Sequence, residues 1–448
     1  MIFVYFIYIV GVYNIYLLIF NKARILSPWM ILVLVSLFSI ITLYPGFFVY
    51  EEIISKSNSL ILILFYSSFW LGHRLIEFPR KINYNKEFDV KYLNDLSFLL
   101  IPLVILCSIL TIIEIPSFSN LAYYDNVIHY FRQLSILNKN EITGSSIVFS
   151  ITISASMICG AMFFISKDIY YHISKFRIIQ IIAILNVFIN TLILGKRSFL
   201  IYLLIIGFFL NLISKKITKK PLIKNKRNFL ISVFLIFVAS YVFFGVFPAA
   251  RNPEIIEKAV AYSNNVHDRE FKKYITENFI DTESDILNSV PAYLIGISYL
   301  HTNWIKFNYF LKKDILTLNS YGLYNFNFIE KLIKGNTNTY SRIAAYFEKV
   351  SIDDGYYTNP WGSGFRDFIV DFKIFGTALF CFLISLTFKI CVKQAIYNLN
   401  SKFLVVSSFV LFFSFMIPFT SPFRLPSTMQ TLIFLLLLNL ILFIKKNA

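Results

Sequence analysis

The chain has 448 residues, of which 57% are hydrophobic and 18% aromatic, and its mean hydropathy is +0.66. A soluble globular protein of this size cannot keep so large a share of apolar residues away from water, so the composition requires a membrane as solvent. The net charge of +17 does not indicate a nucleic-acid partner, because the basic residues are scattered between apolar runs. The four cysteines lie inside or at the ends of these runs, which argues against a disulfide framework or a zinc site.

The apolar runs predict an all-α fold, a polytopic transmembrane helical bundle of about eleven helices. Each run is about 17 to 21 residues long, near the length that a helix needs to cross roughly 30 Å of hydrocarbon. The first run starts at the initiator without a basic leader, so it is interpreted as a retained helix and not as a signal peptide. In chain order the predicted helices cover residues 1–20, 28–44, 59–72, 96–113, 146–165, 178–194, 199–213, 229–247, 374–391, 403–420 and 428–444.

The loop charges predict an orientation with the N-terminus outside and the C-terminus inside, because Lys and Arg are retained on the cytoplasmic side. In that orientation the inner loops hold 21 basic residues and the short outer loops hold six. The predicted domains are helices 1 to 8 over residues 1–247, a large extracytoplasmic loop with short helices over 248–371, and helices 9 to 11 over 372–448. A loop of this length is usually functional.

A sparse set of basic residues is predicted at the outer surface, where the positive-inside rule disfavours them. Lys196 and Arg197 form the tight GKRS connection, and a guanidinium there suits bidentate binding of a lipid-linked diphosphate. Interfacial anchoring by snorkelling is the alternative. The other predicted anion-binding residues lie in later outer segments of the chain: Arg251, Arg342, Arg366 and Arg424.

Candidate general bases lie in or next to the large loop. His301 follows an apolar segment, and an imidazole titrates near neutral pH. Asp371 is the second catalytic candidate, with Asp367 as a further alternative, although Asp371 equally suits the N-cap of the ninth helix. No metal and no cofactor is predicted, since HExxH and clusters of His and Cys with ligand spacing are absent from the sequence. The sequence also has no P-loop, which disfavours an ATP-driven pump.

Three segments follow in order along the chain: LGKRSFLIYLL between two predicted helices, YLIGISYL in the large loop, and NTNTYSRIAAYF followed by RDFIVDFKIFGTALF at the end of that loop. They resemble motifs of the O-antigen polymerase family. The first resembles the family's turn between two helices, the second a recurrent Tyr-Leu-x-Gly stretch of the large loop, and the third the family's closing segment. The chain departs from the family at Lys373, where glycine is frequent, and at Ser341, near an expected threonine. The predicted topology, with many helices and one large outer loop late in the chain, is also similar to that of the family.

The resemblance implies a membrane glycosyltransferase of the bacterial inner membrane. Such an enzyme joins undecaprenyl-diphosphate-linked oligosaccharide repeat units into O-antigen or capsule-type polysaccharide on the periplasmic face. The implied partners are this lipid-linked oligosaccharide, membrane lipids, and a flippase and chain-length regulator of the same pathway. An O-antigen ligase shares the architecture, and a lipid-linked oligosaccharide flippase is the alternative from another class.

Overall fold

The structure is a computed structural model that describes residues 2–20, 27–41, 54–77, 88, 90–114, 146–165, 169, 175–193, 198–218, 303–304, 306–311, 315, 318, 320–327, 329–330, 338–353 and 363–447. Of these residues 86% are helical and none lies in a strand. The all-α prediction is therefore confirmed.

Eleven helices of at least 14 residues lie in this described part. They are α1 (Ile2–Phe20), α2 (Pro28–Ile41), α3 (Lys56–Arg74), α4 (Val90–Glu114), α5 (Ser146–Met162), α6 (Arg177–Ile193), α7 (Ser198–Ile217), α8 (Asn338–Asp353), α9 (Gly364–Ile396), α10 (Lys402–Met416) and α11 (Pro426–Asn447). All except α8 coincide with predicted apolar runs, and α8 lies inside the predicted loop 248–371. The predicted helix at 229–247 and much of that loop lie outside the described residues.

Three of the described helices are long and apolar enough to cross a membrane: Val90–Ile113, Phe199–Ile217 and Gly364–Ile396. Six shorter apolar helices accompany them: Ile2–Leu17, Pro28–Ile41, Val148–Met162, Arg177–Thr191, Lys402–Met416 and Thr428–Ile444. Helices of this composition are those of a membrane protein.

The described residues form two compact units. The first comprises the described parts of Met1–Ile76, Val233–Thr387 and Ser414–Pro426. In it α1, α2 and α3 pack on one another. Trp304 is fully buried against the ring of Phe3 at a centroid distance of 5.3 Å, and its indole N–H donates to the Ser39 hydroxyl at 2.8 Å. The segment before α8 is thereby tied to the N-terminal helices.

The same unit brings α9 against α3. Phe365 packs on Phe65 and Tyr66, with ring centroids 5.7 and 5.2 Å apart. A Cβ added at Gly72 would lie 2.2 Å from the carbonyl oxygen of Phe382, so this close approach of the two helices requires glycine.

The second unit comprises the described parts of Glu77–Ser232, Phe388–Phe413 and Ser427–Ala448. Its helices α4 to α7 pack together, and polar side chains join them across apolar surfaces. Asn186 of α6 donates to the carbonyl of Val104 at 3.0 Å, and Asn190 donates to the Thr111 hydroxyl at 2.7 Å. Such hydrogen bonds between helices are typical of helices in lipid, where the hydrophobic effect does not drive the helices together.

Helix α9 is interrupted at Lys373. Its φ of 59° and ψ of −174° are non-helical and belong to a region that glycine alone adopts without strain. The interruption follows a buried first segment, 364–371, and precedes the apolar run that the sequence predicts to begin at residue 374. The Lys373 ammonium donates to the Leu318 carbonyl, which holds the interruption against the segment before α8.

This backbone conformation predicts the relative stability of two variants. Lys373→Gly and Lys373→Ala both lose the ammonium hydrogen bond, but only glycine relieves the strain of the positive φ. We expect the glycine variant to be more stable by about 1 to 3 kcal/mol, measured as a higher midpoint of thermal unfolding in detergent. An alanine variant as stable as the glycine variant would contradict the strain at this position.

Candidate functional site

The first turn of α9 carries Arg366 into the interior of the first unit. The Ser363 hydroxyl accepts a hydrogen bond from the backbone N–H of Arg366 at 3.3 Å, as an N-cap does. The Arg366 side chain is only 1% exposed, and its guanidinium lies over the rings of Phe347 and Phe310 at 4.4 and 5.2 Å. These distances are those of cation–π contacts, so Arg366 lies against a pair of aromatic rings whose centroids are 4.7 Å apart.

Asp367 joins Arg366 to a second buried arginine. One carboxylate oxygen accepts from Nε and Nη2 of Arg366 at 3.0 and 2.7 Å. The other oxygen lies 3.5 Å from Nε of Arg424 and accepts from the backbone N–H of Ser421 at 3.2 Å. Asp367 is fully buried, and a buried carboxylate is tolerated only with partners of this kind.

Arg424 lies between α10 and α11 and is only 6% exposed. It donates to the Tyr324 hydroxyl and, at 3.0 Å, to the Thr420 hydroxyl. Burial alone would lower the pKa of this guanidinium, but Asp367 and Tyr324 raise it above its ordinary value, so Arg424 stays charged. Burial also raises the pKa of Tyr324 to about 12, against the opposing effect of Arg424. The Tyr324 ring stacks on Tyr340 of α8 at a centroid distance of 5.6 Å.

Lys306 is a further buried basic residue of the first unit and is 7% exposed. Residues 306–311 are helical, so Lys306 lies on the same face as Phe310, four residues on, whose ring contacts Arg366. Burial, followed by the positive charge of Arg366, lowers the pKa of the Lys306 ammonium to about 7. The sequence analysis missed this residue, although a lysine inside the aromatic stretch WIKFNYF is a signal of a buried charge.

Helix α8 covers the arginines with one face. At its N-terminus the buried Glu330 accepts from the Thr339 backbone N–H at 3.2 and 3.1 Å and from the Thr339 hydroxyl at 2.6 Å. The Glu330 carboxylate thereby fixes the N-terminus of α8, where backbone N–H groups without helical partners favour a negative charge. Tyr340 and Phe347 then contact Tyr324 and Arg366, while the opposite face is exposed.

The structure places Asp371 one helical turn after Asp367, where it binds the turn at 320–325. Its first oxygen accepts from the Ser320 hydroxyl and from the backbone N–H groups of Gly322 and Tyr324, both at 3.1 Å. Its second oxygen accepts from the backbone and side-chain N–H groups of Asn325 at 2.8 and 2.5 Å. This geometry suits an anchor of the turn. Asp371 does not act as an N-cap of the segment after Lys373, because both of its carboxylate oxygens accept from residues 320–325.

Of the sequence-predicted site residues, the structure brings together Arg366, Arg424 and Asp371. Arg342 lies on the exposed face of α8. The remaining four predictions fall outside the described residues: Lys196, Arg197, Arg251 and His301. Within the described part of the chain, no three His, Cys, Asp or Glu residues are grouped so that they could hold a metal ion.

The arrangement brings two guanidinium groups together in a region of low dielectric constant. Arg366 and Arg424 both lie against the carboxylate of Asp367. A phosphate or diphosphate presents the same planar pairs of oxygens as a carboxylate, so the same donors suit it. The site is therefore chemically competent to bind an anion and to stabilise a leaving group that gains negative charge.

No family model matches the chain, and no curated protein and no solved structure matches it. The chemistry of the first unit and the sequence pattern are therefore the basis for assigning a function.

The burial of Lys306 predicts a pH-dependent stability. Above about pH 7 the folded protein releases the Lys306 proton while the unfolded chain retains it until its ordinary pKa, so the free energy of unfolding rises with pH in this window. We expect Lys306→Met to be more stable than the unchanged protein at pH 6.5, and the difference to shrink toward pH 9. Thermal unfolding of both proteins in detergent measures this difference. A difference that is constant with pH would contradict the burial of a titrating amine.

Proposed function

We propose that the protein is a polytopic membrane glycosyltransferase that polymerises undecaprenyl-diphosphate-linked oligosaccharide repeat units. The observation that carries this proposal is the convergence of Arg366 and Arg424 on one buried carboxylate, Asp367. Both arginines were singled out in the sequence as candidate ligands of a diphosphate, and they are far apart in the chain.

The proposed topology has eleven membrane spans, the N-terminus outside and the C-terminus in the cytoplasm. The apolar helices of the described residues support a membrane location. The excess of Lys and Arg in alternate loops supports the orientation. In this topology the start of α9 and the connection between α10 and α11 lie at the periplasmic face of the inner membrane, where lipid-linked repeat units are joined.

The proposed reaction transfers the growing glycan from its lipid diphosphate to a hydroxyl of the incoming repeat unit. A bond forms between that oxygen and the anomeric carbon, and the bond from the anomeric carbon to the phosphate oxygen breaks. The electron pair leaves with undecaprenyl diphosphate. Arg366 and Arg424 stabilise this charge by exchanging their ion pairs with Asp367 for hydrogen bonds with the leaving group.

Substrate binding requires that the aromatic residues over Arg366 and Arg424 move away from them. The guanidinium of Arg366 is enclosed by Phe310 and Phe347, and Arg424 is enclosed by Tyr324. Helix α8 supplies Phe347 and Tyr340, which lie over these groups, and Ser341, Arg342 and Ala345 on its other side are exposed. We therefore assign α8 as the element that moves aside when a diphosphate enters. Closure after entry excludes water, which strengthens each charge interaction with the substrate.

Deletion of the gene tests the function directly. Loss of a polymerase leaves single repeat units on the acceptor and removes long chains, which gel analysis of the surface glycan resolves. Loss of the single units as well would contradict the proposal and favour the ligase or the flippase.

Substitution by lysine tests the two arginines without removing their charge. Alanine is unsuitable, because a buried carboxylate left without its partner costs about 3 to 5 kcal/mol. Lysine lacks the planar fork that binds a diphosphate bidentately. We expect Arg366→Lys and Arg424→Lys to lower the rate of chain growth at least about 100-fold while the protein remains folded in the membrane.

Arg177→Lys is the matched control. Arg177 also stacks on an aromatic ring, that of Phe163 at 3.4 Å, and donates to the Phe163 carbonyl at 2.9 Å, but it is predicted on the cytoplasmic side. We expect this control to lower stability while chain growth per folded molecule is unchanged. Normal chain growth in both Arg366→Lys and Arg424→Lys would contradict a diphosphate site at Asp367.

A further inference from the structure

Asp367 has two kinds of neighbour. Arg366 and Arg424 direct hydrogen-bond donors at its carboxylate. Asn325 and Ser421 also bond to Asp367, and each carries a buried side-chain oxygen that makes no hydrogen bond within the described part of the chain. We propose that these two oxygens bind hydroxyl groups of the sugar that is attached to the diphosphate. This inference rests on the proposed function, since it assigns the residues that hold the sugar beside the diphosphate site.

The side-chain amide of Asn325 is held in one orientation. Its nitrogen donates to the backbone carbonyl of Asp367 at 2.8 Å and to a carboxylate oxygen of Asp371 at 2.5 Å. A flipped amide would place Oδ1 against these two acceptors, so Oδ1 lies on the side away from them. Because Asn325 is fully buried, Oδ1 is an acceptor that is fixed in place and kept from bulk water.

Ser421 is positioned by the backbone of the connection between α10 and α11. Its N–H donates to the Asp367 carboxylate at 3.2 Å, and its carbonyl accepts from the Arg424 N–H at 3.2 Å. Earlier in the same connection, the Ile417 carbonyl accepts from the Gly364 N–H at 2.8 Å. A Cβ added at Gly364 would lie 2.9 Å from that carbonyl oxygen, so the connection packs closely on the start of α9. The backbone therefore fixes Ser421 without using its hydroxyl.

The two oxygens favour a ligand with hydroxyl groups over a further phosphate. A phosphate presents mainly acceptor oxygens, which the acceptor Oδ1 of Asn325 repels. A sugar hydroxyl can donate to an amide oxygen and can also accept from a serine hydroxyl. The neighbourhood of Asp367 is thus divided between donors that suit the diphosphate, at the arginines, and groups that suit a sugar, at Asn325 and Ser421.

The position of these oxygens is the one that the first sugar of the substrate has to occupy. This sugar is bonded directly to the diphosphate, so groups next to the diphosphate site are the first to reach it. Binding its hydroxyls would also orient the anomeric carbon for attack. A buried polar atom without a partner destabilises the folded protein. Two such atoms against one residue are therefore better explained by a ligand, since binding sites give up stability for function.

Ser421→Ala tests the inference, because it removes the unused hydroxyl and keeps the backbone. Without ligand, we expect a midpoint of thermal unfolding in detergent equal to or above that of the unchanged protein. The ligands are undecaprenyl diphosphate and the same lipid linked to the repeat unit, and the rise in midpoint measures their affinity. We expect the unchanged protein to bind the sugar-bearing lipid more tightly. Ser421→Ala should weaken that binding about 3- to 10-fold and leave binding of the sugar-free lipid unchanged.

Ser385→Ala is the matched control. Ser385 lies in the part of α9 after Lys373, where it packs near Gly72 of α3. Its hydroxyl is also buried and makes no hydrogen bond among the described residues. We expect the same effect on the midpoint without ligand, and binding of both lipids as in the unchanged protein. Asn325 is less suitable for substitution, because its amide nitrogen also holds Asp367 and Asp371.

The outcomes separate this inference from the proposed function. If neither lipid raises the midpoint of the unchanged protein, the proposed diphosphate site fails and this inference fails with it. If the sugar-free lipid binds but the repeat unit adds no affinity, this inference alone fails, and a buried water is then the partner of the two oxygens. It is also overturned if Ser421→Ala lowers the midpoint without ligand, or binds the sugar-bearing lipid as tightly as the unchanged protein does.

Discussion

The first unit depends on the enclosure of one carboxylate, that of Asp367, by two guanidinium groups. A carboxylate in the protein interior loses several kcal/mol of hydration, which only close partners offset. Arg366 is its neighbour in the chain, but Arg424 comes from the connection before α11, more than fifty residues away. The ion pairs therefore hold together segments that apolar packing alone would leave free to slide past one another. Phe310, Phe347 and Tyr324 extend the same contact network through the faces of their rings.

Helix α9 has two parts with different physical roles. The segment before Lys373 carries Arg366, Asp367 and Asp371 into the interior, and the segment after it is a long apolar helix. A continuous helix would keep one axis through both parts, and the non-helical residue changes the direction of the chain between them. Asp371 fixes the first part to the turn at 320–325, so the strain at Lys373 is balanced by five hydrogen bonds on the residue two positions before it.

Hydropathy predicted the helices well and the burial of the charges poorly. Ten described helices coincide with apolar runs, because each run has enough apolar length to specify a helix by itself. The sequence did not show that Arg366 is buried, since Phe310 and Phe347, whose rings its guanidinium contacts, are remote in the sequence and no local pattern brings them together. Lys306 was missed although the aromatic stretch WIKFNYF around it is a local sign of burial. Asp367 was noticed only as an alternative base, although its adjacency to Arg366 was the one local sign of an ion pair.

The proposed substrate has a lipid tail that needs a membrane and a diphosphate that needs cations, and the apolar helices and the buried arginines suit these two parts. Binding to the purified protein tests this account most directly, by comparing the thermal unfolding midpoint with undecaprenyl diphosphate and with undecaprenyl monophosphate. Selective binding stabilises the folded state, so the account predicts a larger increase with the diphosphate, and loss of that difference in Arg366→Lys and Arg424→Lys. Equal increases with both lipids, or a difference that persists in both variants, would contradict it.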